Sequence, residues 1–178
     1  PGTFAGAAEA LAAVGSFDAV VLALRGAPPA ADAGSEWERV LAEHHGIVGQ
    51  VHADAAWVRA VADLDRPVRL VTLTDSTDAG GRSRAQGSAQ RSRAARGATG
   101  ERITALAVSV EAGAGAGVAE LAAHLVCSPD APALAGAELV AGDGWFGLRS
   151  HPRPAGSVVL PDPTVPAWLD ATLQEIAR

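Results

Sequence analysis

The sequence predicts an α/β fold in which a parallel sheet carries helices on both faces. Short runs rich in Val, Leu and Ile alternate along the chain with longer segments of helical periodicity. These runs are almost continuously apolar, which is typical of strands that are buried on both faces. Strands that alternate with helices pair in parallel, because each helix crosses over the sheet. We therefore expect a single domain over residues 1–178.

The individual elements follow from this periodicity. Ser35 and Glu38 have the spacing of a capping box at the start of a long helix, which we expect to contain Gly46 and Gly49. The polar residues 75–87 predict a loop. The predicted helices are 4–14, 36–64, 88–96 and 118–127, and the predicted strands are 17–24, 68–74, 103–110 and 137–141. Residues 151–178 predict a Pro-rich extended tail followed by a closing amphipathic helix over 165–177.

Composition excludes several classes of function. The net charge of −6 opposes binding to nucleic acid, which requires a cationic surface. No apolar run is long enough to span a membrane, and the start lacks the pattern of a signal peptide, so we expect a cytoplasmic protein. Cys127 is the only cysteine, and we expect it to be a small buried apolar residue.

Four segments, taken in order, resemble the short-chain dehydrogenase/reductase family. The strand 17–24 runs into Arg25-Gly26, and Trp37 opens the helix that follows. Residues 69–76 have the form of the family's next strand, which ends in Ser-Ser. Leu-Val-Cys-Ser-Pro-Asp at 125–130 and Ala-Gly-Ala-Glu-Leu-Val-Ala-Gly-Asp-Gly at 135–144 are similar to its last helix end and last strand. The resemblance implies a Rossmann-like sheet over residues 4–147.

The residues that perform the chemistry of the resembled family are replaced here. That family uses a Ser, a Tyr and a Lys, the last two in Tyr-x-x-x-Lys spacing, with an Asn on the preceding helix, for acid–base work on a carbonyl. The resemblance places Asp75 at the Ser position with Ser76 beside it, Ser88 at the Tyr position, Ser92 at the Lys position and His44 near the Asn position. The chain contains no Tyr and no Lys, so no shift of alignment restores the pair.

The cofactor portion of the resembled family has no counterpart in the sequence. Its glycine-rich N-terminal β-α-β unit is missing, so we expect a sheet that is incomplete at its N-terminal edge. The stretch 93–102 is expected to be too short for the family's long helix, and 111–117 too short for its substrate loop. Gly113, Gly115 and Gly117 have the context of a phosphate-binding turn but not its spacing, and a shortened loop is the alternative.

Two other groups of residues give weaker indications of a metal site and of a hydrolase site. His45 and His52 share a helix face with a spacing of seven, but no third metal ligand accompanies them, so no metal is expected. Asp75, Ser76 and Asp78 lack the Gly-x-Ser-x-Gly elbow of a hydrolase.

A local concentration of arginines is the main charged feature of the sequence. It is interpreted either as a solvated face or as a docking surface for an acidic partner. Its members are Arg82, Arg84, Arg91, Arg93 and Arg96. Trp145, Phe146 and Trp168 near the end of the chain suit either a subunit interface or a local core.

The resemblance and its departures together imply a function. We expect a catalytically degenerate homologue of the family that acts as a non-catalytic or structural subunit beside an active reductase, without activity or cofactor of its own. It would form a homo- or hetero-oligomer through helices 36–64 and 88–96, which correspond to the family's dimerisation helices. The alternative is an NAD(P)-dependent, ketoreductase-like oxidoreductase with an atypical site that uses Asp75, Ser76 or His44.

Overall fold

A computed structural model describes residues 2–24, 34–64, 66–100 and 102–150 of the chain. The described residues form a five-stranded sheet in the order β1-β2-β3-β4-β5. Neighbouring strands from β1 to β4 are parallel, and β5 runs antiparallel to β4. The strands are β1 (Ala19–Leu24), β2 (Val68–Asp75), β3 (Ile103–Val110), β4 (Glu138–Gly142) and β5 (Trp145–Ser150).

Helices cover both faces of this sheet, which confirms the predicted α/β fold. One core cluster joins three helices to one face of the central strands, and the second cluster joins the last helix to the other face. The helices of the first face are α1 (Phe4–Val14), α3 (Ile47–Ala62) and α4 (Ala79–Thr99); α2 (Glu36–Glu43) contacts α4, and α5 (Gly117–Cys127) covers the second face. A 3₁₀ turn at Ala131–Leu134 precedes β4.

Successive residues of the central strands enter the two cores alternately. Leu70 packs in the cluster with α1 and α3, whereas Val71 packs in the cluster with α5. This alternation explains why the strands are continuously apolar in sequence. At the outer strand β1 the second face is less covered, since Val21 is 46% exposed.

The helix predicted over residues 36–64 is two helices. The capping box of Ser35 and Glu38 is present and begins α2 as expected. The chain then turns at Gly46, which has a φ of +75° and separates α2 from α3. A positive φ is inexpensive only for glycine, so Gly46 ends one helix and redirects the next.

The loop predicted over residues 75–87 is wrong, because α4 already begins at Ala79 and extends over 21 residues. Asp78 caps the helix by accepting a hydrogen bond from the Gly81 amide. Gly80 and Gly81 lie where a side chain would overlap the backbone carbonyls of Glu43 and Asp75. The two glycines therefore allow α4 to pack closely against its neighbours and do not mark a loop. The prediction that residues 93–102 leave too little room for a long helix is also wrong, because α4 extends to Thr99.

The strand β5 was not predicted. The predicted strand 137–141 ran into Gly142-Asp143-Gly144, and the structure extends β4 to Gly142 and then turns tightly at Asp143 and Gly144, which has a φ of +72°. The indole of Trp145 lies against Gly142 and Gly147, where any Cβ would be too close to it. The hairpin thus depends on two glycines that accommodate one large side chain.

The structure also bears on the predictions for Cys127 and for a membrane span. Cys127 is exposed at the end of α5, so the prediction that it is buried is wrong. Within the described residues, none of the helices combines the length and apolarity that a membrane crossing requires. The turn at Arg25-Gly26, the tail and helix predicted over 151–178, and Trp168 lie outside the described residues.

Candidate functional site

A cleft of about 640 Å³ lies at the carboxyl ends of β1, β2 and β3, and we refer to it as the carboxyl-end cleft. Open parallel sheets bind ligands at this edge, because loops diverge there from the ends of the strands. Its walls include Leu24, Leu73 and Val110, and its polar groups include Asp75 and Thr77. The cleft is therefore the natural candidate for a functional site.

The carboxylate of Asp75 is positioned by the turn that follows β2. Its Oδ1 accepts hydrogen bonds from the Thr77 amide at 3.0 Å and from the Thr77 hydroxyl at 2.7 Å. Among the described residues, its Oδ2 accepts none. The neighbouring Ser76 is buried and donates its hydroxyl to the Val110 carbonyl at 3.0 Å. Of these two adjacent candidates, only Asp75 lines the cleft.

A second carboxylate at the cleft, that of Glu111, is paired with an arginine from β5. Arg149 donates from Nη2 to Glu111 at 2.8 Å and from Nη1 to the buried Glu138 at 2.9 Å. Ser109 also donates to Glu138, at 2.8 Å. The unpredicted strand β5 therefore supplies the counterion for both carboxylates.

The glycines of the candidate phosphate-binding turn divide between two places. Gly113 and Gly115 line the carboxyl-end cleft and have φ values of +79° and +52°. A Cβ on Gly117 would contact the ring of Phe146 at 3.3 Å, which places this glycine against β5. Binding of a nucleotide phosphate at this turn stays a prediction.

Ser88 and Ser92, which the resemblance places at the Tyr and Lys positions, lie inside the protein on α4. Ser88 is 3% exposed, and its Oγ lies 3.3 Å from the hydroxyl of Thr74 on β2. The same oxygen accepts a hydrogen bond from Arg91 at 3.0 Å. Ser92 donates its hydroxyl to the Ser88 carbonyl at 3.0 Å. Neither serine lines the carboxyl-end cleft.

Asp54 of α3 and Arg91 of α4 form an ion pair, and both contact the hydroxyl of Ser88. Thr74 contacts the same hydroxyl, and we call these four residues the Asp54 network. Asp54 is 3% exposed, and its Oδ1 has no hydrogen-bond partner in the part of the chain that the structure describes. Burial raises the pKa of the Asp54 carboxyl, while Arg91 and Ser88 act in the opposite direction. Burial likewise lowers the pKa of the Arg91 guanidinium, and Asp54 opposes that shift.

Sequence reasoning missed the Asp54 network, although one signal was present. Asp54 is the only acidic residue of α3. It lies seven residues from Ile47 and from the buried Val61, so helical periodicity places it on the inward face. A single carboxylate on an apolar helix face needs a buried partner, and the pattern of serines and arginines on α4 could supply one.

His44 takes no part in the carboxyl-end cleft. It ends α2, where its Nδ1 lies 2.8 Å from the Val40 carbonyl and therefore carries the proton. Its Nε2 lies 3.1 Å from the hydroxyl of Ser83. His45 and His52 are exposed. In the described ranges, no three His, Cys, Asp or Glu side chains are grouped as metal ligands.

The other arginines of the predicted patch do not share one surface. Arg82 is exposed, whereas Arg84 is 2% exposed and donates to the Glu43 carbonyl at 2.9 Å. Arg93 and Arg96 donate to backbone carbonyls of the segment that precedes β4. These arginines thus bind α4 to the end of α2 and to the segment before β4. Binding of an acidic partner to this patch stays a prediction.

Comparison with solved structures identifies similarity to a short-chain dehydrogenase from Mycobacterium avium. The match has a TM-score of 0.59 and 15% sequence identity, and it covers 99% of this chain and 70% of that chain. At this identity the likeness shows a common fold, which agrees with the family resemblance of the sequence. No family model matches the chain, and no curated protein matches it.

The Asp54 network predicts a specific response to the loss of its cation. Arg91→Gln leaves a buried carboxylate unpaired, so we expect the free energy of unfolding at neutral pH to fall by about 3 kcal/mol. The pKa of Asp54 in the folded state lies above its ordinary value of 3.8. The contribution of Asp54 to the free energy of unfolding is therefore present at low pH and is lost as the pH rises through the pKa of the folded state. The deficit should therefore shrink on acidification towards pH 4.

Urea denaturation at several pH values measures this effect. The double variant Asp54→Asn/Arg91→Gln should recover most of the lost stability and show no such pH dependence. Arg82→Gln, a change at an exposed arginine on the same helix, should alter stability by less than about 0.5 kcal/mol. Equal losses in Arg91→Gln and Arg82→Gln would contradict the assignment.

Proposed function

We propose that the chain is a catalytically degenerate homologue of the short-chain dehydrogenases, acting as a non-catalytic subunit or domain beside an active reductase. The shared fold supports the relationship. The observation that carries the proposal is the place of Ser88, which occupies the Tyr position of the resemblance and is bound into the Asp54 network. We place the assembly in the cytoplasm, where the thiol of Cys127 remains reduced.

The acid–base chemistry of the family supports the loss of catalysis. Reduction of a carbonyl requires a proton donor that titrates near the working pH and reaches the substrate oxygen. A serine hydroxyl is far too weak an acid to serve unaided. Ser88 is also enclosed by α3, α4 and β2, and no lysine is present in the chain to assist it. The groups present therefore suit packing rather than proton transfer.

The outer face of α3 and α4 offers a surface for assembly. A groove of about 350 Å³ lies between the two helices and is lined mainly by small apolar side chains. Ala55, Ala94 and Ala98 are exposed along it, and exposed alanines allow another helix to approach closely. Arg59 flanks the groove, so a partner helix with an acidic residue at that edge would be complementary. We propose that a short-chain reductase subunit occupies this groove.

A variant within the groove tests the assembly. The chain would be co-expressed with Tyr-x-x-x-Lys reductases from the same genome, and complexes would be measured by size-exclusion chromatography with light scattering. We expect Ala98→Glu to weaken the complex at least about tenfold, because it buries an unpaired charge in the interface. Ala123→Glu, at an exposed alanine of α5 on the other face of the sheet, should leave it unchanged. Assembly that tolerates Ala98→Glu would contradict this interface.

A second candidate is an NAD(P)-dependent, ketoreductase-like oxidoreductase with an atypical site. The observation that favours it is the carboxyl-end cleft, whose volume of about 640 Å³ suits a small ligand. Asp75 would be its acid–base group, with Gly113 and Gly115 near the cofactor. The first candidate does not explain the carboxyl-end cleft, and the second does not explain why Ser88 is buried. A direct measurement of cofactor binding separates the two candidates.

Nucleotide titration makes this separation. We expect no saturable binding of NADPH by the purified chain in calorimetry up to millimolar concentration, and no oxidation of NADPH with a panel of ketones. The physical reason is the absence of the phenol and amine that hold and use the cofactor in the resembled family. An active short-chain reductase measured in parallel provides the control. Saturable binding together with ketone reduction would replace the first proposal by the second.

A further inference from the structure

We infer that the carboxyl-end cleft binds a compact organic cation, a protonated amine carried on an apolar body. The inference is independent of the assembly proposed above, since none of the described lining residues of the cleft lies on α3 or α4. It follows from the combination of an apolar enclosure with one carboxylate that pairs with no cation among the described residues.

The enclosure favours an apolar ligand of limited size. Leu24 and Leu73 come from the ends of β1 and β2, and Val118 comes from the first turn of α5. Together with several alanines they form most of the wall. A cavity of about 640 Å³ lies within the range of small-molecule sites. The apolar part of the ligand would gain free energy by leaving water.

The charge of the described lining is negative and is concentrated on Asp75. Asp75 and Glu111 both line the cleft, and none of its described lining residues is basic. Arg149 forms an ion pair with Glu111 at a distance of 2.8 Å, whereas Asp75 has no cationic partner among the described residues. The two hydrogen bonds from Thr77 both end on Oδ1 of Asp75, and Oδ2 accepts none among the described residues. An ammonium group would supply the missing donor and the missing charge.

Other ligand classes fit this lining less well. An anion would meet two carboxylates without a basic side chain in the described lining, which is unfavourable at close range. A divalent metal needs several oxygen ligands, whereas only one carboxylate here is without a cationic partner. A neutral alcohol can donate to Asp75 but brings no charge, so it should bind more weakly than an amine of the same shape.

Three probes of one shape test the inference: cyclohexylmethylamine, cyclohexylmethanol and cyclohexanecarboxylate. Binding to the chain would be measured by calorimetry and by chemical-shift changes of the cleft amides at low ionic strength. We expect the amine to bind at least about tenfold more tightly than the alcohol, and the carboxylate not to bind. Equal affinities for the three probes, or no shifts of cleft amides with the amine, would overturn the inference.

Two charge-neutralising variants in the same cleft sharpen the test. Asp75→Asn keeps the acceptor for Thr77 but removes the charge, so the preference for the amine over the alcohol should be lost. Glu111→Gln removes a charge that is already ion-paired with Arg149, so the affinity for the amine should change by less than about threefold. If Glu111→Gln reduced amine binding as much as Asp75→Asn, the assignment to Asp75 would be wrong. Unchanged binding in Asp75→Asn would also overturn it.

Discussion

The buried ion pair between Asp54 and Arg91 constrains the rest of this structure. It joins α3 to α4, with the side chain of Asp54 4% exposed and that of Arg91 17% exposed, and Ser88 and Thr74 extend it to β2. A buried charge is tolerated only while its partner stays in place, so the pair fixes the position of both helices against the sheet. The unpartnered Oδ1 of Asp54 shows that the arrangement is costly as well as specific.

Besides this ion pair, α4 makes contacts with the rest of the protein from its first turn to its last. Its first turn is closed by Asp78 and by Glu43, whose carboxylate accepts from the Ala79 amide at 3.2 Å. Its middle holds the Asp54 network, and its last turns donate from arginines to carbonyls before β4. In the resembled family the corresponding helix presents a proton relay to substrate. Here the described lining of the carboxyl-end cleft carries two ionisable side chains, those of Asp75 and Glu111.

The sequence predicted the fold well and the site poorly, for physical reasons. Helix α1 and the four parallel strands follow from local periodicity, and their bounds agree with prediction to within two residues. The start of α4 was missed because Gly80 and Gly81 satisfy a tertiary contact that composition cannot distinguish from a loop. Strand β5 was missed for a similar reason, since its glycines accommodate Trp145. The partners of Asp54 are Ser88 and Arg91, which are distant from it in sequence, so spacing alone did not reveal them.

The most direct measurement concerns position 88, where the account requires a packing role instead of a catalytic one. Introducing the family's pair by Ser88→Tyr and Ser92→Lys forces a phenol and an ammonium group into the interior beside Asp54 and Thr74. We expect the free energy of unfolding to fall by about 1–3 kcal/mol or more, with no reduction of ketones by NADPH. A double variant as stable as the parent chain that turned over a ketone would contradict the account.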